Sequence, residues 1–469
     1  MNEKRCSTAT AAVYGSEEML RPAPTTVIPE EMTMPEIAYR MVKDEAAVET
    51  QPQLNLATFV TTYMDDYATR LMNEAIAVNY IDQTEYPRVA VMASRCINII
   101  ANLWHSPEKS ESKCGAVGIG SSEACMLGGV AAWLRWRHRR TKEGKPVDKP
   151  NLVISAGLQV VWEKFCKLWQ IELRQVPLTR EKRTLCAEDA IKLCDENTIC
   201  VVGIAGVTWT GLNDDIEALD KALDKYNEHT GYNIPIHVDG ASGGFILPFV
   251  KPHYKWDFRL KWVGSISTSG HKFGLVYPGL GWVVWRDKSY LPEEMSFSVN
   301  YLGAEVTQVG LNFSRPAAQI LGQYYNFIRL GRKGYESIHN NSMEIAKYCH
   351  KRIGEMPCFQ NYSDEVVNPL FVWMMNDNYN KSAKWTLYDL QSRLQQSGWM
   401  VPAYSMPHSI EDMIVMRIVV RQGMSRDMAD MLLRDIEDAV KEFEKLQYPT
   451  TSRLAYEKQE AQLGKVFTH

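Results

Sequence analysis

The sequence predicts an α/β fold, in which a large domain with a mostly parallel sheet precedes a smaller C-terminal α+β domain. Between about residues 116 and 286, short runs rich in β-branched residues alternate with longer stretches of helical periodicity. From about residue 312 the pattern changes to a long helix, followed by isolated strand-like and helical segments. Alternation of this kind is typical of βαβ units, and the change of pattern indicates a second lobe.

Charge and composition exclude several classes of protein. The 469 residues contain 52 Lys and Arg against 56 Asp and Glu, which gives a formal charge of -4 and disfavours nucleic acid as a partner. No stretch approaches the roughly 18 consecutive apolar residues of a spanning helix, so stable membrane insertion is not expected. The ten cysteines lack zinc-ligand spacing. We therefore expect reduced thiols, no metal site and a cytoplasmic protein.

Composition also divides the chain into four expected parts. Residues 1–53 contain five prolines and are expected to form an arm that takes part in oligomer contacts. Residues 54–342 are expected to form the large, ligand-binding domain, and residues 343–449 the small C-terminal domain. Residues 450–469 form a polar tail, which we expect to be weakly structured.

Polar residues that follow the predicted strands are the first candidates for a site, because parallel sheets bind ligands beyond the carboxyl ends of their strands. The strand-like runs are AVGIG, NLVIS, ICVVGIAG, IPIHVD, WVGSIST and GWVVWR. Directly after WVGSIST, Gly270 allows a tight turn and Lys272 lies at the ligand-binding edge. An amine in this position can act as a nucleophile, although most lysines are simply solvated.

Asp239 ends the run IPIHVD, where an unpaired carboxylate would be unfavourable. Pyridoxal phosphate suits both residues, since its aldehyde condenses with a lysine and its protonated ring nitrogen pairs with a carboxylate. Ser121 and Ser122 open a long apolar helix, whose N-terminus suits a phosphate group. The alternatives are that Asp239 caps the next segment and that the serines cap their helix without a ligand.

Seven motifs together resemble the glutamate decarboxylases of the bacterial and plant type. They are NLATF, IGSSEACMLGG, GVTWTG, HVDGASGGF, SGHKFG, NFSRPA and TLYDL. The resemblance covers about residues 29–447. It implies a fold-type I pyridoxal-phosphate enzyme with a mostly parallel seven-stranded sheet, which converts L-glutamate to 4-aminobutanoate and CO2, consumes a proton and is favoured at acid pH. It also implies a homodimer, or a hexamer built as a trimer of dimers.

The resemblance assigns roles residue by residue. It makes Lys272 the Schiff-base lysine, Asp239 the partner of the ring nitrogen, and His271 the third residue of the catalytic group. The implied cofactor contacts are Ser121, Ser122, Gln159, Thr208, Ala241 and His271, with Ser314 supplied by the neighbouring subunit. The implied substrate contacts are Thr58, Phe59, Asn79 and Asp82 for the distal carboxylate and Arg421 for the α-carboxylate, with Arg417 as the competing assignment.

Three expectations concern regulation and pH. In the resembling family a C-terminal histidine blocks the site at neutral pH, so His469 is either such a plug or part of an inert tail. Asp82 is expected to share a proton with the substrate carboxylate, which would favour acid conditions and a role in acid resistance; an exposed turn cap is the alternative. The arm would gain membrane affinity at low pH if Glu3, Glu17 and Glu18 became protonated.

Two other functions compete with this interpretation. The first is decarboxylation of another amino acid by the same cofactor, and the second is a non-catalytic, regulated binding protein. Gly240 and Trp209 stand where alanine and tyrosine are usual in the resembling family. Both positions lie beside the expected cofactor site, and neither change removes a reactive group.

Overall fold

The computed structural model describes residues 20–109, 113–299 and 306–466. The chain divides into two compact units, one up to Leu54 and one from Asn55 onward. In the first unit, helix α1 (Pro35–Ala46) begins with a proline, which suits the first turn of a helix because its missing N–H would have no partner there. His469, Glu3, Glu17 and Glu18 lie outside the described residues.

A seven-stranded sheet forms the centre of the second unit and confirms the predicted α/β class. Its strand order is β1-β7-β6-β5-β4-β2-β3. Strands β2 to β6 are mutually parallel, and β7 runs antiparallel to both β6 and β1. The strands are β1 (Gly115–Gly118), β2 (Asn151–Ser155), β3 (Glu172–Val176), β4 (Thr198–Ile204), β5 (Ile236–Asp239), β6 (Val263–Ser269) and β7 (Gly281–Trp285).

Helices cover the sheet, and every residue of β2, β4, β5, β6 and β7 is buried. The helices are α2 (Asp66–Glu74), α3 (Pro87–Leu103), α4 (Ser121–Lys142), α5 (Val160–Leu168), α6 (Ala187–Lys192), α7 (Ile216–Thr230) and α8 (Leu247–Val250). Burial on both faces explains the continuous apolar runs of the central strands. Strand β3 was not among the predicted strands, because it lies at the sheet edge and its sequence ELRQV is polar.

Glycines let α4 lie close to the sheet. A Cβ atom on Gly128 would be 2.4 Å from Cε1 of His237 on β5, and one on Gly129 would be 2.6 Å from Cζ of Phe165 on α5. Helix α4 packs against β4, β6 and β7. This close packing fixes the helix whose N-terminus reaches the carboxyl ends of the strands.

The C-terminal lobe contains a four-stranded antiparallel sheet in the order β10-β11-β13-β12. It follows a pair of short antiparallel strands and one long helix, which bends at Gly331. The elements are β8 (Phe297–Val299), β9 (Val306–Gln308), α9 (Ala318–Gly354), β10 (Phe359–Asn361), β11 (Leu370–Met375), α10 (Asp377–Asn380), α11 (Leu387–Gln396), β12 (Ala403–Ser405), β13 (Ile414–Val419) and α12 (Arg426–Glu444). The smaller α+β lobe is thereby confirmed, while the exact four-part division of the chain stays a prediction.

The tail differs from the expectation of weak structure, because α13 (Thr451–Val466) is helical. A long-range polar contact explains this difference. The buried guanidinium of Arg453 donates to Oδ1 of Asn380 at 2.8 Å, and within the helix it also donates to Oε1 of Glu457 at 2.9 Å. The contact with Asn380 follows from tertiary structure and leaves no apolar periodicity in the sequence. None of the described helices is long and apolar enough to span a bilayer.

Candidate active site

A cavity of about 220 Å³ opens at the carboxyl ends of the parallel strands, where the sequence placed the site. Its walls come from the segments that follow β2, β4, β5 and β6 and from the N-terminus of α4. The residues that line it include Gly120, Ser121, Ser122, Cys125, Gln159, Thr208, Asp239, Ala241, His271 and Lys272. The structure therefore brings together all but one of the cofactor contacts implied by the resemblance, the exception being Ser314.

Lys272 lies in the turn after β6, with its amine 5.0 Å from the ring centroid of Phe59. The backbone carbonyl of Lys272 accepts a hydrogen bond of 2.6 Å from the hydroxyl of Thr61, which anchors the turn. Burial lowers the pKa of the amine, and nearby Arg417 adds to this effect, while Asp239 and Cys125 oppose it. A lowered pKa increases the fraction of neutral amine, which is the nucleophilic form.

Asp239 is the last residue of β5 and is 3% exposed. Its Oδ2 accepts a hydrogen bond of 2.9 Å from the indole Nε1 of Trp162, and its Oδ1 accepts one of 3.1 Å from the backbone N of Ala241. Both carboxylate oxygens are thereby held in place at the cavity wall. Each oxygen keeps lone-pair capacity for a cationic partner, because a carboxylate offers about four acceptor sites.

The N-terminus of α4 forms an anion cradle. Ser121 and Ser122 are its first two residues, and Gly120 precedes them with extended backbone geometry. A Cβ atom on Gly281 of β7 would lie 2.2 Å from the carbonyl carbon and oxygen of Gly120, so only glycine permits this approach. The helix start and its free N–H groups suit a phosphate group.

His271 closes the cradle on the side of Lys272. Its Nδ1 accepts hydrogen bonds from the backbone N of Gly279 at 3.3 Å and of Leu280 at 3.2 Å, which assigns the ring proton to Nε2. Burial, helped by the neighbouring charge of Lys272, lowers the pKa of His271 to about 4. The imidazole is therefore neutral through most of the acid range, and its Nε2–H is a donor.

Glu123 is a structural residue of the site that the sequence did not reveal. It is buried at the third position of α4, where its Oε2 accepts from the backbone N of Ile119 at 2.8 Å. Its Oε1 accepts from the backbone N of Leu311 at 2.8 Å and of Asn312 at 3.2 Å. A glutamate at the third position of a helix is the local signal for such a contact, although the usual capping pattern reaches the N-cap, here Gly120, and not the residue before it. The contacts of Oε1 join segments nearly 190 positions apart and leave no local signal.

The two candidate arginines have different surroundings. Arg417 on β13 donates to the backbone carbonyls of Thr208 at 2.6 Å and Ala57 at 2.7 Å, and its Cζ is 4.8 Å from the ring centroid of Phe59. It thus lies against the ring that also faces the Lys272 amine. Burial lowers the pKa of Arg417, yet far too little to discharge a guanidinium near neutral pH.

Arg421 is 6% exposed and braces the segment that carries Phe59. Its guanidinium donates to the carbonyl of Val60 at 3.0 Å, to the hydroxyl of Thr62 at 3.1 Å and to the carbonyl of Asn55. Burial lowers the pKa of Arg421 to about 10, so it also stays charged.

The other predicted substrate and partner-subunit residues form a separate group. Nδ2 of Asn79 donates to the hydroxyl of Ser314 at 3.3 Å, and its Oδ1 accepts from the backbone N of Arg315 at 3.0 Å. The backbone N of Asp82 donates to the carbonyl of Asn79 at 3.2 Å. Asn79, Asp82 and Ser314 do not line the cavity of their own chain. Of the distal-carboxylate residues, only Thr58 and Phe59 belong to the segment beside Lys272.

Gly240 and Trp209 keep their positions beside the cavity. A Cβ atom on Gly240 would lie 3.0 Å from the carbonyl oxygen of Ser267, so glycine relieves a tight contact behind Asp239. The indole of Trp209 donates to the carbonyl of Leu158 at 3.0 Å. Within the described residues, no group of three or more His, Cys, Asp or Glu side chains gathers as a metal site.

A buried amine and a buried carboxylate, lining one cavity beside a helix N-terminus, define an enzyme that uses pyridoxal phosphate on amino acids. The match to known families agrees with this class. The chain belongs to the pyridoxal-dependent decarboxylase family, whose conserved domain matches residues 29–375.

Relatives within the family are similar along nearly the whole chain. Glutamate decarboxylase beta of Listeria innocua is 49% identical over 432 residues, which cover 92% of each chain. Glutamate decarboxylase of Lactococcus lactis subsp. cremoris is 47% identical over 430 residues, 91% of this chain and 92% of that one. The solved structure of Lactobacillus brevis glutamate decarboxylase superposes with a TM-score of 0.90, at 42% identity, over 94% of this chain and 99% of that chain.

Proposed function

We propose that this protein decarboxylates L-glutamate to 4-aminobutanoate and CO2. The observation that carries the proposal is the guanidinium of Arg417, which lies against the same Phe59 ring as the Lys272 amine. A fixed positive charge against the same aromatic ring as the reactive amine suits the α-carboxylate of an amino acid. The names of the relatives from Listeria, Lactococcus and Lactobacillus support glutamate as the amino acid.

The residues of the cavity fit pyridoxal phosphate. Lys272 would hold its aldehyde carbon, Asp239 its ring nitrogen, and the N-terminus of α4 with His271 its phosphate. The close approach of Gly281 to the backbone of Gly120, which a Cβ would block, fixes the helix start that would hold the phosphate. When bound, the cofactor supplies an electron sink for the pair released as CO2 leaves.

The chain's own residues supply the remaining chemistry. Trp162 and Ala241 hold the Asp239 carboxylate in place, where it would keep a proton on the ring nitrogen of the bound cofactor. The lowered pKa of Lys272 lets its amine act as a nucleophile and later take up and return a proton. Each turnover consumes one proton, which enters from solvent. Arg417 orients the substrate by its carboxylate while its bonds to Thr208 and Ala57 keep it in place.

The active unit is proposed to be a homodimer, alone or within a hexamer. The resemblance assigns Ser314 to the site of a neighbouring subunit, and the contact of Asn79 with Ser314 supports a presentation of Asn79, Asp82 and Ser314 together to that site. Asp82 would then share a proton with the distal carboxylate of glutamate, which favours acid conditions. A cytoplasmic location, acid-dependent membrane association of the arm and inhibition by His469 belong to the same proposal.

The test is to add pyridoxal phosphate to the purified protein and to measure CO2 release from glutamate, aspartate, tyrosine and tryptophan. We expect a visible absorption band, release from glutamate only, and one 4-aminobutanoate for each CO2. Lys272→Ala should lose the band and the activity, whereas Lys261→Ala, an exposed lysine paired with Asp224, should keep both. Release from an aromatic substrate alone would favour the rival decarboxylase, and absence of any band would favour a binding protein.

A further inference from the structure

The turn at residues 270–276, which carries the cavity lysine, has a constrained backbone. The backbone N of Val276 donates to the carbonyl of Gly270 at 3.2 Å, and a Cβ atom on Gly274 would lie 2.5 Å from that same oxygen. Leu275 has a φ of 65°, a left-handed conformation that is uncommon for a residue other than glycine. Such a conformation persists only where surrounding contacts fix it.

Three buried side chains of α9 supply those contacts. Nε2 of Gln323 and the phenol of Tyr335 both donate to the carbonyl oxygen of Gly274, each at 3.0 Å. Nδ2 of Asn326 donates to the carbonyl of Leu275 at 2.7 Å. All three side chains are at most 4% exposed, so water does not compete for these bonds. One helix, α9, therefore holds the backbone carbonyls of both Gly274 and Leu275 in the lysine turn.

Gln323 and Tyr335 lie on opposite sides of the bend in α9. The bend is at Gly331, with φ 53° and ψ -171°, and separates residues 318–330 from residues 332–354. Nε2 of Gln323 also donates to the phenol oxygen of Tyr335 at 3.1 Å. The two halves of the helix therefore meet at the carbonyl that they both bind.

Each half of α9 is fixed to a different part of the protein. In the first half, the phenol of Tyr325 donates to Oδ1 of Asp65, which caps α2, at 2.9 Å. In the second half, Arg352 donates to Oε1 of Glu437 on α12 at 2.8 Å, and α9 packs against β10 and β11. The bond between Gln323 and Tyr335 thus joins the two halves of the bent helix at the lysine turn, where Tyr335 stacks on Phe249 of the large domain.

We propose that Gln323 and Tyr335 are positioning residues for Lys272. By holding the carbonyl of Gly274 they set the direction of the Lys272 amine. The role of Lys272 rests on the proposed function, but the contacts that position it do not. Neither residue lines the cavity, so both act through the backbone turn.

The test compares two variants, each of which lacks the hydroxyl group of one tyrosine. Tyr335→Phe removes the bond to Gly274 and keeps the ring that stacks on Phe249 at 5.0 Å. Tyr254→Phe removes a similar bond, from a phenol to the backbone carbonyl of Asp214 at 3.1 Å, away from the turn. Hydrogen exchange of residues 270–280 is measured on the protein without cofactor. The pH midpoint of the visible band, kcat and KM are then measured with pyridoxal phosphate.

For Tyr335→Phe we expect loss of amide protection in the turn, a shifted pH midpoint of the band, and a kcat about tenfold lower with KM nearly unchanged. Gln323→Met should change the same readouts in the same direction. The double variant should have a kcat only slightly lower than that of either single variant, because both hydrogen bonds end on one carbonyl. Tyr254→Phe should leave all four readouts unchanged. Equal exchange and equal spectra for the two phenylalanine variants would overturn the positioning role. If the turn loses protection but glutamate releases no CO2 even in the unchanged protein, the proposed substrate is wrong and the positioning role stands.

Discussion

The indole Nε1 of Trp162 donates a hydrogen bond of 2.9 Å to Oδ2 of Asp239. Trp162 belongs to α5 and is completely buried, so this bond ties a helix to the end of β5. A donor to a buried carboxylate stabilises its charged form. The bond therefore fixes the position of the Asp239 carboxylate at the cavity wall.

Trp162→Phe should weaken cofactor binding or slow turnover by about tenfold, because hydrogen bonds to charged groups contribute roughly 1.5–3 kcal/mol. Trp136→Phe is the matched control, since it removes an indole bond of 3.0 Å to the carbonyl of Glu196, away from the cavity. Both variants should lose stability, which thermal unfolding measures. Only Trp162→Phe should raise the dissociation constant of pyridoxal phosphate or lower kcat. Equal kinetic behaviour of the two variants would show that the Trp162 bond serves stability alone.

Arg417 on β13 and Arg421 in the loop after it should have different roles, which a similar comparison of two variants can distinguish. Arg417→Gln should lower kcat/KM for glutamate on the order of 100-fold, because it removes the charge that is proposed to bind the α-carboxylate. Arg421→Gln should mainly destabilise the fold, by about 2 kcal/mol, since its partners are Asn55, Val60 and Thr62. Kinetics and urea unfolding of both variants distinguish the roles. A larger kinetic loss for Arg421→Gln would restore that residue as the carboxylate anchor.

Arg417 and Arg421 show which features of the site cannot be predicted from the sequence. The fold class and the placement of Asp239 and Lys272 were predictable, because strand periodicity and the carboxyl-end rule depend only on local sequence. Arg417 and Arg421 are four residues apart, so alternation along a strand gives them the same parity. Their surroundings differ only because of how β13 pairs with its neighbours and meets residues 55–62.

The same limit applies to contacts between distant segments. Glu123 binds the backbone at Leu311, and Arg453 binds Asn380, and neither contact follows from a pattern in the sequence. The helical tail was missed for this reason. Residues proposed to reach a neighbouring subunit are harder still to predict, because a single chain can show only that Ser314 does not line its own cavity.

Gly281→Ala should disturb the anion cradle more than any substitution of similar size in the sheet. Its Cβ would lie 2.2 Å from backbone atoms of Gly120, which cannot turn away as a side chain can. Overpacking of this kind costs about 1–3 kcal/mol, so cofactor affinity should fall by roughly tenfold or more. Gly203→Ala on β4 is the control, because its Cβ would meet a movable side-chain atom of Ile216 at 3.2 Å. Titration with pyridoxal phosphate should separate the two, and equal affinities would argue against the cradle.

His339 should make the protein without cofactor less stable as the pH falls. The ring is fully buried among Phe249, Phe273 and Tyr335, and burial lowers its pKa from 6.5 to about 3. Between these two values the unfolded chain binds a proton that the folded protein excludes. The contribution of the neutral ring is therefore complete above pH 6.5 and is lost as the pH decreases toward 3. At about 1.4 kcal/mol per pKa unit, the loss reaches roughly 3 kcal/mol near pH 4.

His339→Phe removes this titration and keeps an aromatic ring in the aromatic cluster. The free energy of unfolding in urea, measured from pH 7 to pH 4, should therefore fall less steeply for the variant than for the unchanged protein. His253→Phe replaces an exposed histidine and should leave the slope unaltered. Parallel curves for His339→Phe and the unchanged protein would mean that the buried ring is not what links acid to unfolding. The slope would then come from other groups that titrate differently in the folded and unfolded chain, among them His237 and His271, whose pKa values burial also lowers to about 4.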